Sequence, residues 1–113
     1  MPTPIHTFLP LTHLLYVVLL SLAEAPTHPY ELVKRIRERS GGRIDPGTGS
    51  FYSVLAQAER QGLIRESAAN AGLRRRVYEL APLGRRVLAA EAGRLEAQLA
   101  ATRAALLPEK KRS

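Results

Sequence analysis

The chain has 113 residues, a formal net charge of +7, and neither cysteine nor tryptophan. That length carries one modest core with at most an appended helix, and the missing cysteine excludes disulfides and thiolate metal sites while permitting a reducing compartment. His6, His13 and His28 are too widely spaced, and too poorly matched to carboxylates, to suggest a metal centre.

The basic excess is local. Residues 29–86 hold twelve Lys or Arg against six Asp or Glu, whereas in residues 87–107 Arg94 and Arg103 balance Glu91 and Glu96. A polyanion such as nucleic acid suits that distribution, and so does an ordinary solvated surface.

Residues 1–10, with prolines at 2, 4 and 10, read as an extended arm. Thr12 caps a helix predicted to run to about Ala23, apolar nearly all round and therefore covered on more than one side. A membrane span needs about 20 apolar residues, and His13, Tyr16, Ser21 and Glu24 leave too short a run. Ala23-Glu24-Ala25 has the look of a signal cleavage site, but no Lys or Arg precedes Lys34, so the basic leader is missing. The expectation is a cytoplasmic chain without a membrane partner.

Pro29 opens a second helix of about eleven residues ending at Ser40-Gly41-Gly42. Its buried stripe is read as Tyr30, Val33 and Ile36 with Leu32 alongside, and its exposed side as Lys34, Arg35, Arg37 and Arg39. The third helix is predicted between Asp45, as N-cap before Pro46, and Gly62 as the left-handed stop. Phe51, Val54, Leu55 and Ala58 make its core stripe, with Leu63 following. Its far face carries Gly49, Ser53, Ala56, Gln57 and Arg60, flanked by Ser50 and Tyr52, and has no acid. Small and hydroxyl residues with one amide permit close approach to a grooved, negatively charged partner. An amphipathic helix with nothing to read is the plainer alternative. Two short helices joined by a tight glycine-containing connection describe a helix-turn-helix.

After Gly62 the period falls to about two. Residues 63–67 and 76–80 read as strands, with Asn70 and Gly72 in the turn between them and Arg74, Arg75 and Arg76 at the tip or return edge. Those arginines suit a phosphate backbone, or serve only to keep an edge strand solvated. Pro82 begins a last helix reaching Leu107, with Leu88, Ala92, Leu95, Leu99, Thr102 and Leu106 in a heptad-like seam. The expected fold is mainly α with a small β-hairpin: a winged helix-turn-helix over residues 11–81 behind the arm 1–10, a dimerisation helix at 82–107, and a basic tail at 108–113.

The stretches Leu19 to Ala25, His28-Pro29-Tyr30-Glu31-Leu32, Ser40-Gly41-Gly42, Gly49-Ser50-Phe51-Tyr52-Ser53-Val54-Leu55, Glu59 to Ile64, Tyr78-Glu79-Leu80 and Gly84-Arg85, in this order, resemble the PadR family of bacterial and archaeal transcriptional regulators, in its smaller form with one helix after the wing. The resemblance implies a winged-helix homodimer on a palindromic operator, usually a repressor, often released by a small aromatic effector near the dimer interface. The chain departs from the family pattern at Pro29, Ala58 and Ala81; Ala81 leaves the last helix without a side-chain cap, at about 1 kcal/mol.

The expected DNA contacts are Thr48, Ser50, Tyr52, Ser53 and Gln57 on the third helix with Arg74, Arg75 and Arg76 on the wing. Leu88, Leu95, Leu99 and Leu106 are the expected dimer seam, and His13 and Tyr16 the candidate effector residues. No cofactor, metal or catalytic set is expected, since there is no cysteine, no glycine-rich phosphate loop, and no Ser/His/acid or paired-carboxylate catalytic set placed on one element. The competing reading is a winged-helix protein-interaction module without sequence-specific DNA binding.

Overall fold

A computed structural model describes residues 4–46, 48–68 and 76–108, with the backbone alone at Thr48. The Thr12 hydroxyl accepts the Leu15 N–H at 3.3 Å and starts α1, His13–Glu24. Val17, Val18, Leu19 and Leu22 of this helix are buried. It touches every later helix and the second strand, which is how an almost wholly apolar helix is covered.

In α2, Pro29–Arg39, the cap is His28, whose Nδ1 accepts the Glu31 N–H at 3.4 Å. The helix ends with Gly41 N–H on the Glu38 carbonyl and Gly42 N–H on the Arg37 carbonyl, at 3.2 and 2.9 Å. Both glycines are left-handed, with φ of 63° and 80°. Two residues differ from the expected pattern. Arg35 is not a solvated charge: its Nη1 donates to the Ser21 and Ala25 carbonyls at 3.3 and 3.2 Å, satisfying the open end of α1. Tyr30 is 79% exposed rather than buried. At 100° per residue it lies about 120° around the helix from Ile36, outside the sector that Leu32 and Ile36 press into the core.

The third helix, α3, is Thr48–Arg60, so Asp45 stands three positions ahead of it and is not its cap. The Asp45 carboxylate instead takes Nε and Nη2 of Arg37 at 3.0 and 2.8 Å, linking the turn to α2. Phe51, Leu55 and Ala58 are buried and Val54 is partly so. The helix closes as expected at Gly62, φ 79°, with Gly62 N–H on the Glu59 carbonyl and Leu63 N–H on the Ala58 carbonyl at 3.1 and 2.9 Å.

Strands β1, Ile64–Glu66, and β2, Tyr78–Leu80, pair antiparallel with Ile64 opposite Leu80 and Glu66 opposite Tyr78. Thr27 adds an unforeseen isolated bridge to Tyr78, N–H to carbonyl in both directions, at 3.0 and 2.8 Å. The last helix, α4, is Pro82–Leu106, without a side-chain cap at Ala81. Gly84 sits on the carbonyl of Leu63, and a Cβ there would fall 2.0 Å from that oxygen. From Leu95 onward the helix is exposed.

Over the described residues 4–11 the N-terminal segment is not an extended arm. Residues Ile5–Phe8 form a 3-10 turn, and Ile5, Phe8, Leu9 and Leu11 pack on the core. The prolines at 4 and 10 flank the turn instead of interrupting it. Leu11 N–H donates to Glu91 Oε2 at 2.8 Å, while Arg94 Nη2 reaches the same oxygen at 3.3 Å. Glu91 is 2% exposed, yet its carboxyl is held below the ordinary range by the Arg94 hydrogen bonds, helped by the Leu11 N–H and opposed by burial. A depressed folded pKa adds stability that is complete above the unfolded carboxylate value and is lost as pH falls through the folded one. Glu91→Gln is therefore expected to be less stable than wild type at pH 7 and to converge with it in acid, as read by denaturant midpoints between pH 7 and 3. Parallel curves would show that the carboxylate's charge is idle.

Candidate nucleic-acid interface

The burial of Phe51, Leu55 and Ala58 dictates what α3 shows to solvent. Gly49, Ser50, Tyr52, Ser53, Ala56, Gln57 and Arg60 are exposed, and Ser53, Gln57 and Arg60 share one sector by helical count. The face holds hydroxyls, an amide and a guanidinium without a carboxylate; Glu59 lies to one side, in line with Tyr52. Side chains of this kind reach base edges and phosphates from a helix in the major groove.

On the wing side Arg76 is exposed and lies 3.3 Å from Glu66. The Tyr78 hydroxyl, then the charges of Tyr78, Glu66 and Glu59, hold its guanidinium more firmly protonated than usual. Arg74 and Arg75 lie outside the described residues, as does the Thr48 side chain. Across the hairpin Arg65 meets Glu79 at 3.0 Å, and the Arg65 hydrogen bond is the chief reason why the Glu79 carboxyl is shifted down.

The remaining candidates separate into two groups. Leu95, Leu99 and Leu106 are 39, 50 and 78% exposed, whereas Leu88 is half-buried against the domain's own core. His13 and Tyr16 stack on α1 with centroids 6.4 Å apart. The structure does not bring them to the α3 face.

Two hollows flank α3, and Tyr30 and Tyr52 line both. One, of about 460 Å³, also holds Val33, Lys34, Arg37, Pro46 and Phe51. The other, about 840 Å³, runs from His28 and Pro29 across Leu55, Ala56 and Glu59 to Arg76 and Tyr78. Sequence reading missed this second site because its residues come from α2, α3 and β2 and share no spacing. The one local signal was the tyrosine directly behind a helix-opening proline.

A helix-turn-helix whose second helix shows an acid-free polar face, backed by a hairpin bearing arginine, defines a winged-helix DNA-binding regulator. The chain belongs to the PadR-like family of transcriptional regulators, whose profile matches residues 18–90. A transcriptional regulator from Clostridium thermocellum superposes with a TM-score of 0.70 at 21% identity, covering 84% of this chain and 91% of that one. RosR of H. salinarum does so with 0.61 at 20% identity, covering 88% and 99%. By sequence the chain is 38% identical over 76 residues to an uncharacterized 37.1 kDa protein in transposon TN4556 of Streptomyces fradiae. That match takes in 67% of this chain and spans only 21% of the relative's length. Among the described residues no helix is long and apolar enough to cross a membrane.

Proposed function

We propose that the chain is a homodimeric repressor that reads a palindromic operator in the cytoplasm. The observation that carries this reading is the exposed, carboxylate-free face of α3 next to an arginine-bearing hairpin. In the proposal Ser53 and Gln57 meet base edges, with Gln57 able to hold an adenine by two hydrogen bonds. Thr48, Ser50 and Tyr52 meet the adjoining phosphates, and Arg74, Arg75 and Arg76 grip the backbone from the wing. The outer half of α4 pairs two copies through Leu95, Leu99 and Leu106, with Leu88 at the inner end, placing the two α3 helices about 34 Å apart, one turn of duplex. A small aromatic effector at His13 and Tyr16 would act by shifting the α1 and α4 packing.

Selection from a random duplex pool tests the reading, with an inverted repeat as the expected product. On the selected site Gln57→Ala should cost about 1 to 3 kcal/mol and relax one base position in each half. Replacing Arg74, Arg75 and Arg76 together by alanine should weaken all sequences alike and flatten the salt slope by about 0.9 for each phosphate no longer neutralised. Recovery of no common sequence, with both variants binding as wild type does, would favour the protein-interaction module.

A further inference from the structure

The two hollows beside α3 share a ridge but differ in charge. The smaller contains Lys34, which has no ion-pair partner among the described residues, and so suits a phosphate. The larger holds one charge of each sign. Its cation, Arg76, is already paired with Glu66 at 3.3 Å. Its anion, Glu59, is exposed; its charge is among those that Arg76 feels, but among the described residues its carboxylate makes no hydrogen bond and no ion pair. Three of the chain's four tyrosines, Tyr30, Tyr52 and Tyr78, line the same groove, together with Pro29, Leu55 and Ala56.

A carboxylate with no hydrogen-bond or ion-pair partner among the described residues, in a groove lined by aromatic rings, favours an organic cation over a phosphodiester, since the cation gains from the carboxylate and from the ring quadrupoles together. The volume of about 840 Å³ lies within the range of small-molecule sites, which are mostly apolar with a few placed polar groups.

We propose that this groove is a binding site for an aromatic organic cation, with Glu59 as counter-ion and Tyr30, Tyr52 and Tyr78 as walls. It is separate from His13 and Tyr16. Because Tyr52 and Arg76 belong both to the groove and to the proposed DNA surface, the occupant excludes the duplex directly instead of acting through the dimer seam. That exclusion rests on the DNA reading above, whereas the site itself does not.

The tyrosines supply the test. With ring-labelled tyrosine in the full chain, the probe methyltriphenylphosphonium should shift the Tyr30, Tyr52 and Tyr78 signals saturably and leave Tyr16 in place. Triphenylphosphine oxide, neutral and of similar shape, should bind at least about tenfold more weakly, and Glu59→Gln should lose the cation's advantage to the same degree. At constant ionic strength the cation should also raise the apparent Kd of wild type for its selected duplex but not that of Glu59→Gln. Equal binding of cation and oxide to wild type would overturn the site whether or not the variant folds, as would a response confined to Tyr16. Binding of the cation with unchanged duplex affinity would overturn the exclusion. Since the tyrosine titration contains no DNA, absence of DNA binding would count against the regulator reading alone.

Discussion

Gly84→Ala is expected to cost about 3 kcal/mol or more in stability. The added methyl would sit 2.0 Å from the Leu63 carbonyl oxygen and 2.9 Å from its carbon, and neither can yield as a side chain would. Leu63 is held from both sides, by its own N–H on Ala58 and by the Ala81 N–H on its carbonyl. Moving it would disturb the end of α3 and the start of α4 together. Gly93, on the same helix, is the control, since a Cβ there would meet nothing within 4 Å. Gly93→Ala should stabilise by up to about 1 kcal/mol, because alanine is the better helix former. Denaturant titration of both variants decides the matter, and a Gly84→Ala protein within about 1 kcal/mol of wild type would show that α4 can lift off the hairpin freely.

Loss of the α4 seam is expected to have the larger functional effect. In a Leu95→Glu, Leu99→Lys double variant the new side chains stand four apart in the order that favours a helix, so α4 itself should persist. Both positions are already open to solvent, at 39 and 50%, and the domain's own core is untouched. The variant should sediment as a single chain at micromolar concentration and bind the full operator roughly 10²- to 10⁴-fold more weakly, since the second half-site is no longer held nearby. Affinity for a half-site should stay close to that of wild type. A variant that still sediments as a dimer would place the contact on another surface.

The helices and their stops were legible because they depend on local chemistry. Thr12 caps α1, Gly41 and Gly42 end α2, and Gly62 ends α3, each by a hydrogen bond or backbone region that a residue type implies. The misreadings have tertiary causes. Asp45 has the right chemistry for a cap, but Arg37 claims its carboxylate. Tyr30 matches the apolar period yet falls past the edge of the surface that α1 can cover. The docking of residues 4–11 uses Glu91, eighty positions from Leu11, a carboxylate that in the sequence enters only the charge balance of residues 87–107. Gly84 carries weight in the family resemblance without any reason visible in its neighbours; the reason is the Leu63 carbonyl beneath it. Of the proposed DNA surface the α3 face could be read from period alone, whereas the groove behind it is assembled from three elements and could not.

The pairing of Thr27 with Tyr78 has a mechanical corollary. Two hydrogen bonds of 3.0 and 2.8 Å yoke the root of the hairpin to the residue just ahead of the α2 cap, so the span from Tyr30 to Arg76 is a gauge set before any duplex arrives. On the proposed DNA reading, a duplex of different groove width would have to be met without the root of the hairpin hinging away from α2.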